Sequence, residues 1–210
     1  MKKKSNPNRS SGVLLHITSL PGPYGIGEIG IESKRFVDNL VSMGQDYWQI
    51  LPTNCPEQCD SPYDTNSAFA QNPFLISLDD LLEDELIKSS DLEPIPTFSK
   101  NRIDYNKVKN WKYPILKKAA SNFQLKKDQK FSDYKDFCNK QKFWLNDYAV
   151  FMVIKEIQKK PDWSFWSKRL KEINGENIKK VENQFKNEIE CIKILQYFFD
   201  RQWKQLKRYA

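Results

Sequence analysis

The sequence predicts an α/β fold in its first half and a helical region in its second half. Two apolar runs, residues 12–17 and 47–51, flank an amphipathic pattern at residues 33–43. A strand, a helix and a strand within about forty residues form a βαβ unit, whose strands run parallel. Beyond residue 91 the apolar residues recur every three or four positions, which predicts helices.

The first strand and the helix each have a local signature. Residues 12–17 read Gly-Val-Leu-Leu-His-Ile, which is typical of a short buried strand. We interpret His16 as a half-buried histidine with satisfied hydrogen bonds, not as a catalytic base. Gly44 is suited to end the helix. The predicted apolar face of that helix holds Phe36, Val37, Leu40 and Val41.

The loop at residues 18–30 contains a formal G-x-G-x-x-G pattern at Gly25, Gly27 and Gly30. A dinucleotide-binding fingerprint opens directly from a strand into a helix and is followed by an acid at the end of the next strand. Here a Pro-Gly-Pro segment intervenes, and the second strand ends in Leu-Pro-Thr. We therefore interpret the glycines as backbone-packing positions and expect no cofactor.

Residues 60–77 form a polar segment rich in proline, asparagine, serine and threonine, which predicts a loop with fixed turns. It follows the second strand, and α/β proteins bind ligands at the ends of their strands. Within it, the ring of Tyr63 lies among hydrogen-bonding neighbours, which suits a sugar. A packed tyrosine that anchors the loop is the alternative, and the residues alone favour it.

The chain beyond this loop contains more helix. Residues 74–78 are predicted to be extended, residues 79–86 to begin a helix with acids in its first turn, and residues 92–97 to form a linker. Four helical patterns follow, at residues 107–123 (bent or restarted at Pro114), at 131–160, from 161 with Asp162 as the N-cap, and at 176–210. The apolar stripe of the last pattern predicts core packing. It consists of Ile178, Val181, Phe185, Ile189, Ile192, Leu195, Phe199, Trp203 and Leu206.

Cysteine and charge limit the function classes. The four cysteines are too few for a disulfide scaffold, and Cys55 and Cys59 lack the further ligands of a zinc site, so we expect no metal. Residues 1–100 hold 8 basic and 14 acidic side chains, whereas residues 101–210 hold 26 and 13. A basic half with interleaved aromatics leaves a nucleic-acid-binding module as an alternative function. The lysines are scattered among Asn and Glu, which favours solvated helix faces and no nucleic-acid partner.

The sequence also carries expectations about location. No apolar run approaches the length of a transmembrane helix, so we expect no membrane partner. Residues 1–11 are predicted to be disordered. They are followed by only three consecutive apolar residues before His16, which does not fit a secretory signal, and we expect a cytoplasmic protein.

Three motifs in one order resemble the 4-α-glucanotransferases, also called amylomaltases or disproportionating enzymes. They lie at residues 9–27, 47–52 and 61–73. Residues 198–210 are similar to the helix that precedes the next barrel strand in that family. The resemblance is strong at residues 9–80 and 197–210 and is limited to helical character between them.

The resemblance implies the N-terminal part of a (β/α)8 TIM barrel with a large helical insertion, incomplete in this chain. It assigns residues 12–90 to the first strands, helix and sugar-binding loop, residues 91–190 to the insertion, and residues 191–210 to a helix that leads back into the barrel. A barrel without insertions needs about 250 residues. We therefore expect this 210-residue chain to be truncated.

The same resemblance implies retaining transfer of α-1,4-glucan segments by an aspartate nucleophile, a glutamate acid/base and a further aspartate. None of these carboxylates matches a position here, and we expect them beyond Ala210. The chain alone is therefore expected to be inactive, or a non-catalytic remnant. The motif carries over Ser61 and Tyr63 alone as substrate-binding residues, and we expect residues 18–27 to line the mouth of the site. The implied partners are malto-oligosaccharides, α-glucans and a glucose acceptor. Residues 53–59 depart from the family pattern by carrying cysteines.

Overall fold

The N-terminal part of the chain folds into the predicted βαβ unit. The computed structural model describes residues 10–57, 60–126, 129–159, 162–167 and 175–210. Strand β1 (Gly12–Leu14) pairs in parallel with β2 (Tyr47–Gln49), and helix α1 (Ile31–Ser42) connects them. The predicted parallel pair is thereby confirmed. Most of the expected disordered terminus, residues 1–9, lies outside the described residues.

Helix α1 ends where the sequence predicts. Gly44 has a φ of +66°, a left-handed conformation that glycine adopts without strain. The prediction that Val41 lies on the buried face is wrong, because its side chain is 71% exposed. Ser33, Val37 and Leu40 form the buried stripe, and Val41 lies beyond its edge.

Both strands are shorter and more exposed than predicted. The chain leaves β1 after Leu14, and residues Ile17–Ser19 form a single 3-10 turn. Trp48 packs edge-on against Phe36 of α1, with the ring centroids 4.9 Å apart. Gly12, Leu14, Tyr47 and Gln49 are exposed on the opposite face. The prediction of buried strands is therefore wrong within the described chain, because α1 packs on one face of the two-stranded sheet and the residues on the other face are exposed.

The predicted extended segment at residues 74–78 is confirmed only at Ile76 and Ser77, whose backbone is extended. Residues Pro73–Leu75 form a 3-10 turn, and α2 (Leu78–Glu83) begins directly after Ser77. The side chain of Asn72 accepts a hydrogen bond from the Phe74 N–H (3.0 Å), and Ser77 caps α2 by accepting from the Asp80 N–H (3.2 Å). A short buried apolar run fits either secondary structure, and here the caps decide. The predicted acids in the first turn are present as Asp79 and Asp80.

The second half is helical, with two more breaks than predicted. Pro114 lies inside one continuous helix, α3 (Tyr105–Lys126). The single helix expected at residues 131–160 is two helices, α4 (Gln129–Lys140) and α5 (Leu145–Gln158), and the one expected at residues 176–210 is α6 (Gly175–Gln184) and α7 (Lys186–Tyr209). The breaks let α5 and α6 fold back onto α7, which one straight helix could not do.

The segment after α5 begins as predicted but is short. Asp162 accepts a hydrogen bond from the Ser164 N–H (2.7 Å), so the predicted N-cap is confirmed. Within residues 162–167 the capped element is only a 3-10 turn, Trp163–Phe165. The predicted long helix is therefore not seen in that described range.

Helix α7 connects two hydrophobic cores. The larger core extends from Ile17 to Leu206 and includes residues on both sides of residue 91. Within it, the ring of Phe123 is surrounded by those of Tyr134, Tyr197 and Phe198 at centroid distances of 5.4 to 5.8 Å. A smaller core joins α5, α6 and α7. It contains Ala149, Val150, Val153, Ile154, Trp166, Val181 and Ile189.

These cores confirm core packing for the predicted stripe, since Ile189, Leu195, Phe199 and Leu206 are all buried. The domain boundaries stay predictions. None of the helices in the described ranges combines the length and the apolar character needed to cross a membrane.

Candidate functional site

The loop after β2 folds back on itself and presents a tight turn. Pro56 and Thr65 form an antiparallel bridge, and the Glu57 N–H donates to the Asp64 carbonyl (2.9 Å). At the tip, the Asp64 N–H donates to the Ser61 carbonyl (3.0 Å), with Pro62 between them. Proline is favoured at the second position of such a turn. The predicted loop with fixed turns is therefore confirmed.

Ser61 and Tyr63 both lie on this turn. The Ser61 hydroxyl accepts a hydrogen bond from the Tyr63 N–H (3.3 Å), which braces the turn from inside. The Tyr63 side chain is 71% exposed. A ring so exposed does not anchor the loop by packing, so that alternative is wrong. The turn instead presents one rigidly based aromatic ring that is free to stack on a ligand.

The two arms of the loop are joined below the turn by side chains that sequence reasoning missed. The Asn54 amide donates to the carbonyls of Ser67 (3.0 Å) and Ala70 (2.8 Å). The Thr53 hydroxyl donates to the Gln71 side chain, and the Asn72 N–H donates to the Thr53 carbonyl (2.8 Å). These bonds satisfy main-chain groups that would otherwise be unpaired in a long irregular loop.

Two buried glutamines of α7 hold the end of the loop. Gln196 accepts from the Gln71 N–H (2.8 Å) and donates to the Gln71 carbonyl (2.9 Å). Gln202 makes the same pair of bonds with Ser77, at 2.8 and 3.1 Å. Each side-chain amide thus pairs with both the N–H and the carbonyl of one residue, as the backbone of a neighbouring strand does in a sheet. Their position among buried apolar residues is the sequence signal that could have identified them.

A buried ion pair lies beneath the loop at residues 18–30. The Lys112 ammonium group contacts the Glu28 carboxylate and donates to the Phe74 carbonyl (2.6 Å). Glu28 also accepts from the Leu78 N–H (3.2 Å). Burial raises the pKa of Glu28 to about 7, although Lys112 opposes the shift, and burial lowers the pKa of Lys112. The pair joins three segments, namely the loop at residues 18–30, residues 74–78 and helix α3.

The glycines of residues 18–30 are packing positions, as predicted. A side chain at Gly27 would place its Cβ atom 1.9 Å from the Ile17 carbonyl oxygen, and one at Gly30 would meet the Ser77 hydroxyl at 2.6 Å. Gly25 has a φ of +76° and lies against the Phe98 ring. The expectation that residues 18–27 line the mouth of the site stays a prediction.

His16 is half-buried as predicted, and burial lowers the pKa of its imidazole. The prediction that its hydrogen bonds are satisfied is wrong, because buried Nδ1 has no hydrogen-bond partner in the described structure. His16 lies at the start of the 3-10 turn and not within the strand that the sequence predicts; nothing in the described structure explains the unpaired Nδ1.

A cavity of about 630 Å³ opens beside the loop, between α3, α5 and α7. Its lining includes Tyr105, Tyr113, Tyr148 and the thiol of Cys55. Burial raises the pKa of Cys55 to about 11, so the thiol is protonated near neutral pH and is a poor nucleophile. Cys59 lies outside the described residues. In the described part of the chain, no group of three or more His, Cys, Asp or Glu side chains is placed to hold a metal ion.

Comparison with known proteins matches nearly the whole chain to one family. A family model described as 4-alpha-glucanotransferase matches residues 15–210. The chain is 41% identical to a 4-alpha-glucanotransferase of Aquifex aeolicus over 204 residues and 42% identical to one of Clostridium butyricum over 198 residues. These alignments cover 96% and 93% of this chain and 40% of each relative.

A solved structure gives the same result. The amylomaltase from Streptococcus agalactiae in complex with acarbose superposes with a TM-score of 0.91 at 37% identity, covering 96% of this chain and 41% of that one. The chain thus spans about two-fifths of the length of these relatives. The match includes the basic second half, and it gives no support to the nucleic-acid-binding alternative.

Proposed function

Because this chain belongs to the 4-alpha-glucanotransferase family, we propose that the whole protein transfers α-1,4-glucan segments between malto-oligosaccharides. The donors are malto-oligosaccharides and α-glucans, and the acceptor is glucose or another sugar. The observation that carries this proposal is the turn at residues 61–64, where the exposed Tyr63 ring projects from a braced backbone.

The proposed fold is a (β/α)8 barrel in which the described βαβ unit supplies the first two strands. The helices from α3 to α6 form the insertion, and α7 leads back towards the barrel. The exposed sheet face at Leu14 and Tyr47 supports this proposal, because parallel sheets in α/β proteins are covered on both faces. The superposition on an amylomaltase supports it as well.

Ser61 and Tyr63 are proposed as one wall of the donor-sugar site. The Tyr63 ring stacks on a pyranose face, because the C–H groups of that face are apolar, and its hydroxyl is available to a sugar oxygen. The Ser61 hydroxyl accepts from the Tyr63 N–H and can donate its own proton to the sugar. Their position on a braced turn reduces the entropy lost when sugar binds.

The catalytic carboxylates are proposed to lie beyond Ala210. Retaining transfer needs two carboxyl groups about 5 Å apart on opposite sides of the scissile bond. Asp60 and Asp64 belong to the same short turn as Tyr63, so they are not placed to face each other across a sugar. The proposed location, the cytoplasm, stays a prediction.

The test is a maltotriose disproportionation assay on the whole protein, with wild type and the Tyr63→Ala and Tyr63→Phe variants. Glucose together with products longer than maltotriose indicates transfer, whereas glucose with maltose alone indicates hydrolysis. We expect Tyr63→Ala to lower kcat/KM roughly fivefold or more, since a ring contact contributes about 1 kcal/mol.

Tyr63→Phe is the matched variant and keeps the ring. It should retain most activity if stacking dominates and should match the alanine variant if the hydroxyl dominates. Because the wild-type ring is exposed, neither variant should alter the thermal midpoint of unfolding. Wild-type activity in Tyr63→Ala would refute the sugar-contacting role, and a wild-type protein that makes no longer products would refute the proposed reaction.

A further inference from the structure

The turn that carries Ser61 and Tyr63 is attached at its base to helix α5. The ammonium group of Lys155 forms an ion pair with the Glu57 carboxylate. The same nitrogen lies 3.4 Å from the side-chain oxygen of Asn66. Glu57 precedes the turn and Asn66 follows it. The two arms that flank the turn, residues 56–57 and 64–66, are called the ribbon below. One α5 side chain therefore contacts both arms of the ribbon.

Lys155 contacts the ribbon at the point where its two arms are joined to each other. The ribbon is closed by the Pro56–Thr65 bridge and by the bond from the Glu57 N–H to the Asp64 carbonyl (2.9 Å). Lys155 therefore contacts the ribbon next to the backbone hydrogen bond between Glu57 and Asp64. A contact there limits the tilt of the whole turn, whereas a contact at the tip would compete with a ligand.

The Lys155–Glu57 pair is also partly shielded from water. Its side chains are 18% and 15% exposed, compared with 55% and 76% for the Lys180–Glu176 pair on α6. Shielded, hydrogen-bonded charges interact more strongly than exposed pairs, which contribute little. Burial lowers the pKa of Lys155, as expected for an amine withdrawn from solvent.

Thr65 of the ribbon is also hydrogen-bonded to Ser67, and two further side-chain anchors hold the loop beyond it. Asn54 binds the carbonyls of Ser67 and Ala70, and Gln196 binds the main chain of Gln71. These contacts hold residues 67–71 independently of α5. Loss of the Lys155 contact should therefore release the ribbon and leave the remainder of the loop in place.

We propose that Lys155 is a positioning residue for sugar binding, which holds the Ser61–Tyr63 turn in its binding orientation through Glu57 and Asn66. The sugar-binding part of this inference rests on the proposed function of Tyr63. The ordering of the ribbon does not, so the two parts are tested separately.

The first test measures amide hydrogen exchange in the 210-residue chain for wild type, Lys155→Met and Lys155→Arg. Methionine keeps the length of the side chain and removes its charge. We expect the amides of Glu57 and Asp64 to exchange at least about tenfold faster in Lys155→Met, because local opening sets their protection. Amides of α5 and α7 should change by less than about twofold.

Two controls accompany this test. Lys155→Arg retains the cation and should restore most of the protection. Lys180→Met removes the lysine of an exposed pair on α6 and should leave the ribbon unchanged. Unchanged ribbon exchange in Lys155→Met, equal acceleration throughout the chain, or failure of arginine to restore protection would each refute the positioning role.

The second test measures maltotriose kinetics in the whole protein. If the sugar binds only to molecules in which the turn is ordered, its apparent dissociation constant equals the intrinsic one divided by the ordered fraction. KM in Lys155→Met should therefore rise in inverse proportion to the fraction of molecules in which the turn stays ordered, with kcat changed by less than about twofold.

A released ribbon with unchanged KM would refute the role of Lys155 in sugar binding. An inactive wild-type protein would refute the proposed reaction, while the exchange result would still decide whether Lys155 orders the ribbon.

Discussion

Lys112 is fully buried on α3, and its charge is balanced by Glu28 on the loop that precedes α1. A buried charge without its partner is far more costly than the intact pair. We expect Lys112→Met to lower the free energy of unfolding by about 3 kcal/mol, because it leaves Glu28 uncompensated and the Phe74 carbonyl without its donor. Urea denaturation of the 210-residue chain measures the change.

The double variant Lys112→Met/Glu28→Gln serves as the control for this prediction. It removes both charges, so its loss of stability should be smaller than the sum of the two single losses. A strictly additive result, or a loss below about 1 kcal/mol in Lys112→Met, would show that the pair does not stabilise the fold.

At the scale of single residues, the sequence predicted the features that depend only on neighbouring residues. Pro62 and the polar residues around Tyr63 specify a turn without reference to the rest of the chain, and Asp162 is recognisable as a cap from its immediate neighbours. The supporting contacts join residues far apart in sequence, 84 positions for Glu28 and Lys112 and 98 for Glu57 and Lys155. No local pattern pairs such residues, so these partners could not be predicted.

Among the elements, α7 does most to position the loop. Its glutamines Gln196 and Gln202 contact Gln71 and Ser77, each 125 residues earlier in the chain. Gln202 is 1% exposed, so its replacement by alanine leaves the Ser77 N–H buried without a partner and removes one donor to the Ser77 carbonyl. We expect Gln202→Ala to lower the free energy of unfolding by about 2 kcal/mol.

Chemical denaturation measures this loss, and Gln205→Ala is the matched control. Gln205 lies on the same helix and is exposed, so its replacement should change stability by less than about 0.5 kcal/mol. Equal effects of the two substitutions would mean that the paired hydrogen bonds of Gln202 contribute nothing beyond helix propensity.

Periodicity predicted the existence of most elements but not all of their ends. The helix stop at Gly44 was predictable because left-handed backbone requires a specific residue type. The breaks at residues 141–144 and at Phe185 contain neither glycine nor proline. They follow from the packing of α5 and α6 on α7, which is tertiary information that the helical pattern does not contain.

At the scale of the whole molecule, α7 connects the larger core to the smaller one, and the sheet of the βαβ unit has one exposed face. The first half of the sequence is acidic and the second half is basic. The larger core nevertheless contains residues from both, which shows that charge asymmetry describes the surface and not the core. The motif resemblance predicted the family, and the comparisons confirm it.

The 210-residue chain alone is expected to bind a sugar but not to transfer one. One wall of a sugar site can bind, but retaining transfer also needs a nucleophile and an acid/base facing each other across the bond, in a site that excludes water. The turn at residues 61–64 is an open surface with an exposed ring. We therefore expect this chain to release no glucose from maltotriose under conditions in which the whole protein does.

The Tyr63→Ala variant of the same chain is the control for binding in this experiment. The wild-type chain should bind maltoheptaose weakly, and the variant should bind it roughly fivefold more weakly or not at all, since the ring provides the stacking contact. Calorimetric titration measures both affinities. Glucose release by the chain alone would place the catalytic carboxylates among its own residues, and Asp60 and Asp64 would then be the first side chains to replace.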